Sequence, residues 1–479
     1  MKPPRISALT VAAVAALTAG GCAHRAAYVP PAISAPAAYK ENANWKPAQA
    51  GDTAVRGDWW EMFGDPQLNA LEAQVDIRND TLKVFEARFT EARALVRASE
   101  SARYPQVSGG AEVTGVKPSG NRAISSFHDS YADLALPVSA SYEADVWGRI
   151  RSSIAASRAS AQASAADVET ARLSIHAELA ADYVTLHGLD RDEELLSSAV
   201  EAYTRALELT QNRFTGGLAS RADVAQAETQ LETTRAQAVD AELDRALVEH
   251  AIAVLVGQPA STFSIPVSSL TTGPPDVPVG IPSGLLERRP DIAAAERRVA
   301  AANAQVGVAA AANYPLLTLS GGAGFESSAI GSLLTGVSSF WAIGPALVQN
   351  IFDAGKRHAL ADQARASYEE AAAFYQSAVL SAFREVEDQL ATLRILEREG
   401  AIQDRAVDAS ERSLMQATNR YQGGVTTYLE VVTAQTAALT NERVAARILA
   451  RRMSASVLLL KVVGGGWNRQ SLPTLTAGK

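Results

Sequence analysis

Hydrophobic residues recur along this chain in two periods, and each period predicts its own kind of element. From Asn79 to Arg103 there is neither proline nor glycine, and Ala, Glu and Arg dominate, which predicts a helix stopped by Tyr104-Pro105. The period then shortens to two. Val107, Ala111 and Val113 fall on one side of an extended segment, with Ser108, Glu112 and Thr114 on the other. After a polar stretch over 118–130, Ala132, Leu134, Leu136, Val138, Ala140, Tyr142 and Ala144 alternate with Asp133, Ser139, Ser141, Glu143 and Asp145, which predicts a second strand. The long period then returns. Between Gly148 and Gly216 there is no proline and a single glycine, Gly188, which predicts one helix of about 65 residues, about 100 Å long. Ile154, Ala161, Val168 and Ile175 stand at heptad spacing within it. A turn at Gly216-Gly217 sends the chain back in a second helix of about 40 residues, completing a coiled-coil hairpin.

The whole pattern occurs twice. ARYP at 102–105 returns as ANYP at 312–315. DVWGR at 145–149, RFTGGLASRADVAQAET from Arg213 and VLVG ending at Gly257 return 207 residues later as FDAGK, RYQGGVTTYLEVVTAQT and KVVG. Leu317, Leu319, Ala323 and Phe325 mark the third strand, and Trp341, Ile343 and Leu347 the fourth. Ala372, Val379, Val386 and Leu393 carry the heptads of the second long helix. Strands of ten residues or more are long enough to cross a bilayer when tilted. Four strands cannot close a barrel, and lipid satisfies no open sheet edge, so three chains supplying twelve strands are expected to close one together. Cyclic symmetry then places a helical tube beneath it. Trp341 and Phe340 are expected in the girdle at the lipid interface.

Composition narrows the function. The 479 residues carry 44 Lys and Arg against 52 Asp and Glu, a net charge of −8, which disfavours a nucleic-acid partner. A single cysteine excludes a disulfide framework and cysteine-based metal sites. No nucleophile–base constellation, phosphate loop or metal cluster stands out, so no cofactor is expected and an enzyme is the poorest reading. Lys2 and Arg5 precede an apolar stretch over 8–18, as in a secretory signal. LTAGGC then resembles a bacterial lipobox, with Leu17 displaced from its usual place, so Cys22 is the expected site of a covalent lipid and 1–21 the signal peptide. Residues 22–57, rich in Ala and Pro, are expected to be a linker laid over the body, followed by repeats at 58–265 and 266–467 and a flexible tail at 468–479.

Four stretches carry a resemblance: WWEMFGDPQLNAL at 59–71, ERRPDIAAAERRVAAANAQVGVAAAANYP at 287–315, IFDAGKR at 351–357 and LLLKVVGGGW at 458–467. With the duplication, residues 22–467 resemble the TolC-type outer-membrane factors, in particular their acylated OprM-like, NodT-type efflux lipoproteins. The resemblance implies a homotrimer with a 12-stranded outer-membrane barrel above a long helical periplasmic tunnel. It also implies a periplasmic adaptor and an inner-membrane transporter, of RND type, as partners in a tripartite pump for drugs or other small toxic compounds. A type I protein-secretion duct is the alternative, and a non-channel coiled-coil lipoprotein a third reading.

The two double-glycine turns are the candidate docking tips. Arg213, Phe214, Gly216, Gly217, Ser220 and Asp223 belong to one; Arg420, Tyr421, Gly423, Gly424 and Thr427 belong to the other. A plain helical turn explains the glycines alone, but the flanking Arg, aromatic and hydroxyl residues recur in both. The resemblance also implies a periplasmic gate beyond the second turn, formed by a Leu and an Asp. Leu429 matches the Leu, Thr433 stands where the Asp is usual, and Glu430 is the candidate acidic group, with Arg420 or Arg213 on a neighbouring hairpin as its partner.

Overall fold

The computed structural model describes residues 58–119, 130–269 and 284–475 throughout, together with 28–32, 35–36, 38–41, 121, 273–275 and 277. The expected signal peptide and Cys22 lie outside the described residues. The chain runs α1 (Pro66–Arg78), α2 (Asp80–Ser101), β1 (Gln106–Gly109), β2 (Glu112–Val116), β3 (Tyr131–Glu143), α3 (Arg149–Thr215), α4 (Arg221–Leu255), α5 (Pro290–Ala311), β4 (Leu316–Ser327), β5 (Ser339–Val348), α6 (Lys356–Gln422) and α7 (Tyr428–Val462). The duplication is metrically faithful: α3 and α6 each have 67 residues, and α4 and α7 each have 35. The returning helices are shorter than expected because five residues go into each turn and each helix ends just before a left-handed glycine, Gly257 or Gly464. A β-carbon on Gly257 would meet the Arg78 carbonyl and one on Gly464 the Arg288 carbonyl, so both repeats close on the same backbone contact.

The heptad positions do what their spacing predicts. Ile154, Ala161, Val168, Ile175, Val379, Val386 and Leu393 are buried, and Ala372 is half-buried. The largest core lies midway along the helices. There Trp59 and Trp60 pack with Leu68, Val75, Leu179, Leu186, Ile252, Leu390 and Leu459. Beside Trp60, whose ring stacks on His176 at 4.4 Å, His176 Nδ1 lies 2.6 Å from the buried Glu72 carboxylate. Burial pushes the Glu72 carboxyl up to about 7, against the opposing pull of the His176 hydrogen bond.

The sheet is antiparallel, in the order β1/β2–β3–β4–β5. β1 and β2 pair with β3 in one unbroken register, and the break between them has a local cause. Gly110 N donates to the Pro137 carbonyl at 2.9 Å, but Pro137 has no N–H to return. The first and second strand segments therefore act as one, giving four strands in all.

Register decides which residues share a face. Val107, Ala140, Gly321 and Ile343 form one cross-strand row. Val138, Ala323 and Trp341 form another, and Tyr142, Leu319 and Pro345 a third. The alternating apolar positions read from the sequence thus share one face, where Trp341 is 77% exposed, while the end pairs Leu316–Val348 and Val116–Tyr131 fall on the other. Glu112, Asp133, Glu143, Glu326 and the Ser108–Ser139 hydroxyl pair lie on the other. Phe340 departs from the expectation made for it. At one residue from Trp341 it points to the opposite face, with its ring over Gly324. Among the described residues, neither edge of the sheet is paired.

The described parts of the N-terminal segment lie on the body. Tyr28 packs beside Tyr368 and donates to the Glu296 carbonyl at 3.4 Å. Further along, Lys40 N and Glu41 N donate to the Glu387 carboxylate at 2.7 and 3.0 Å. Residues 468–475 are docked as well, through Arg469 and Glu296 at 3.0 Å and Leu472 against Trp467. No described helix is long and apolar enough to cross a membrane.

Candidate functional site

Both hairpin turns are built in the same way. Leu218 N donates to the Arg213 carbonyl at 2.8 Å and Gly217 N to the Phe214 carbonyl at 2.9 Å. Val425 N and Gly424 N repeat these bonds to Arg420 and Tyr421 at 2.9 and 3.0 Å. This is a Schellman motif, and only its second glycine needs the left-handed region: φ is +74° at Gly217 and +73° at Gly424, but −79° at Gly216 and −73° at Gly423.

Beyond the turns the two repeats part. Ser220 caps α4 in a reciprocal box, its hydroxyl accepting from Asp223 N at 3.1 Å while the Asp223 carboxylate accepts from Ser220 N at 2.8 Å. The Asp223 side chain is thus held by its own helix start. Thr427, at the same place in the second repeat, makes no such cap, and the residue matching Asp223 is Glu430. Glu430 turns back to Arg420 of its own hairpin, at 3.2 Å. Within one chain, then, Glu430 meets Arg420 and not Arg213. Both side chains are about half exposed, so the pair is worth about 0–1 kcal/mol and is readily exchanged.

Arg213 does something else. Its Nη1 donates to the Gln422 carbonyl at 3.1 Å and its guanidinium lies 4.7 Å from the Tyr421 ring centre, so it bridges the two turns of one chain. Tyr421, expected on the tip surface, is only 5% exposed, whereas its counterpart Phe214 is 46% exposed. The reason is Tyr428, which stands where the first repeat has Arg221. Tyr421 and Tyr428 meet edge to face at 5.2 Å and form a small core with Ala227, Ala417, Val431 and Ala434. The sequence signal for this core was an aromatic residue at the first helical position of one repeat only.

What remains outside is mostly apolar or small: Phe214, Leu218, Val425 and Leu429 are exposed, beside the two glycine pairs. Along α7, Leu429 and Thr433 share an exposed stripe one helical turn apart, continued by Thr436 and Thr440. The Thr433 hydroxyl donates to the Leu429 carbonyl at 2.9 Å, so it is satisfied within its helix. Glu430 lies off this stripe, tied to Arg420. Among the described residues, no group of three or more His, Cys, Asp or Glu side chains is placed to hold a metal ion.

A family model described as outer membrane efflux protein matches residues 71–258 and 281–465. The chain is 30% identical to the pyoverdine export outer membrane protein OpmQ of Pseudomonas aeruginosa, over 96% of this chain and 97% of that protein. It is 31% identical to the outer membrane protein OprJ of the same species, over 97% and 96%. It is also 31% identical to the toluene efflux pump outer membrane protein TtgF of Pseudomonas putida, over 90% of each. Among solved structures it is similar to the outer-membrane channel OprN, at 30% identity and a TM-score of 0.85 over 92% of this chain and 99% of that one. It is likewise similar to the CmeC outer membrane channel of Campylobacter jejuni, at 25% identity and a TM-score of 0.85 over 93% and 96%.

Proposed function

We infer from the membership of this chain in the outer membrane efflux protein family that it is the outer-membrane channel of a tripartite efflux pump, and that it acts as a homotrimer with the hairpin turns as its docking tips. One observation carries the assembly: a four-stranded sheet with one continuous apolar face and two unpaired edges, in a chain whose helices also expose matched apolar stripes. Lipid tolerates neither edge, so three copies close twelve strands, edge to edge. Below the sheet, Leu247 of α4 and Ile395 of α6 stand at nearly the same height, about 40 Å above the turns, and Val239 and Ile402 pair in the same way about 30 Å above them. An α4 stripe of one copy against the α6 stripe of the next would seal the tube wall.

The same geometry supports a lipid on Cys22. Tyr28 lies beside Tyr368, about 18 Å along α6 from its first residue, Lys356. The six residues back to Cys22 reach at most about 20 Å, so the cysteine can reach the level at which α6 begins, on the side of the sheet. The exposed Phe214, Leu218 and Val425 beside the glycine pairs suit close packing against a helical hairpin of a periplasmic adaptor, itself joined to an RND-type inner-membrane transporter. The relatives' names place pyoverdine and toluene among the cargoes of such proteins, so the cargo proposed here is small organic molecules.

A photo-crosslinker on a cysteine placed at Thr427 tests the docking assignment, because a lipid-modified Cys22 would leave that thiol the only reactive one. Capture of a periplasmic adaptor in isolated envelopes is the expected result. A trimeric, outer-membrane protein that captures nothing there would remove the tip assignment. Planar-bilayer recording tests the channel, and absence of conductance from the purified protein would count against it.

A further inference from the structure

Between α4 and α7, well above the turns, lies a cleft of about 600 Å³ whose charges are matched at one end only. At its lower end Arg443 donates from Nε and Nη2 to the two Asp192 carboxylate oxygens, at 2.7 Å each, and from Nη1 to the Gln237 side-chain oxygen at 2.9 Å. These bonds tie α7 to α3 and α4. Arg447 and Arg451 follow Arg443 at steps of one helical turn, so all three stand on one ridge of α7. Asp240 and Asp244 make the same step on α4 and line the same cleft. Yet none of these four has an oppositely charged partner within 4.0 Å among the described residues. The rest of the lining is uncharged and mainly apolar, with Gly188, Ala450, Ala455 and Leu458 beside the hydroxyls of Thr185 and Thr392. Gly188 lets α3 and α7 meet there, since a β-carbon on it would stand 2.9 Å from that of Ala450.

Two carboxylates and two guanidiniums held apart over a mainly apolar lining are complementary to a molecule that carries both signs. We propose that this cleft binds a drug-sized zwitterionic amphiphile. Its ammonium faces Asp240 and Asp244, its anionic group faces Arg447 and Arg451, and its apolar body lies along that lining. The volume falls within the range of about 300–1,000 Å³ usual for small-molecule sites. A ligand of one sign meets one attracting wall and one repelling wall, so the arrangement discriminates by charge pattern as well as by size. Arg suits the anionic end because its planar fork takes a carboxylate through two parallel hydrogen bonds. The assignment rests on the efflux reading above and gives it a substrate class.

The test uses ciprofloxacin, whose ammonium and carboxylate coexist at neutral pH and whose ring fluoresces. Its ethyl ester, a cation, and its N-acetyl derivative, an anion, serve for comparison. Fluorescence anisotropy with the full-length protein in detergent is expected to rank the zwitterion tightest. D240N/D244N is expected to weaken it about tenfold, the fold-change of one charge-assisted hydrogen bond, without weakening the anionic derivative. R447Q/R451Q gives the mirror result, sparing the cationic ester. Exchanging both walls, in D240R/D244R/R447D/R451D, is expected to restore zwitterion binding. Equal affinity for the three probes, or a zwitterion affinity indifferent to both pairs of substitutions, overturns the proposal. All four positions are exposed, and circular dichroism and single-channel conductance of the same preparations check that each variant is folded. A protein that conducts but shows no charge-dependent binding refutes the cleft alone. Wild-type protein that is folded by circular dichroism yet does not conduct refutes the channel reading instead.

Discussion

At Gly217 and Gly424 the backbone holds a left-handed turn, where a side chain's β-carbon crowds the following carbonyl, while Gly216 has a negative φ that any residue adopts. Gly217→Ala and Gly424→Ala are therefore expected to cost about 1–2 kcal/mol each. Gly216→Ala is expected to be nearly neutral, because its β-carbon would meet nothing nearer than 3.5 Å. Denaturant melts in detergent compare them, and equal losses at 216 and 217 would show that the left-handed cap does not hold the turn. Glu72 gives a second single-residue prediction, with a definite sign. Its carboxyl is pushed up from 4.5 to about 7 in the folded protein. Between those values the folded chain keeps a proton that the unfolded chain has released, so stability falls as pH rises through the window. Glu72→Gln is expected to flatten that slope, leaving the melting temperature unchanged below pH 4.5 and raising it above pH 7. Parallel pH profiles for the two proteins would dismiss Glu72 as the titrating group.

At the scale of an element, the sheet makes the sharpest prediction, because a strand turns each successive residue to the opposite face. Ile343 lies in the apolar cross-strand row and Ala342 on the face that carries Ser108 and Ser139. If the apolar face meets lipid, Ile343→Arg costs about 2–4 kcal/mol near the bilayer midplane, while Ala342→Arg faces the interior and costs far less. The yield of assembled protein in outer membranes reads the difference, and equal yields would contradict the facing. The alternation was legible from the sequence, as were both long helices and their heptads, because a run of some 65 residues without proline has few alternatives. Phe340 was not legible: beside Trp341 it invites an aromatic-girdle reading, and only the pairing with Gly324 shows which face it takes. Nor was the difference between the tips. The recurrence of Arg, aromatic and double glycine hid the fact that Tyr428 buries Tyr421 and leaves Phe214 outside. Local motifs report the turn they build, whereas burial at a tip depends on what the other repeat places beside it.

At the scale of the whole molecule, the chain by itself is open on two sides, and the openness is consistent from end to end. Among the described residues, the sheet has an unpaired edge at β1/β2 and another at β5. The helices beneath expose Val239, Leu243 and Leu247 on α4 and Ile395 and Ile402 on α6. Apolar stripes at equal heights on opposite flanks are what a cyclic assembly needs, since each copy then offers one stripe and receives the other. Surface exposure of so much aliphatic area would otherwise favour aggregation. A charge test separates a specific contact from general stickiness. Leu247→Glu is expected to release monomers, because burying an unpaired carboxylate against Ile395 costs several kcal/mol. Ile395→Lys is expected to do the same by itself. Together, Leu247→Glu and Ile395→Lys place opposite charges at the same height on adjoining copies, so the double variant should recover trimers in part and lose them again as salt rises. Coexpressing the two single variants sharpens the result. In a mixed ring only some junctions juxtapose Glu with Lys, so recovery should stay below that of the double variant. Full assembly of either single variant would show that α4 and α6 do not meet between copies at that height.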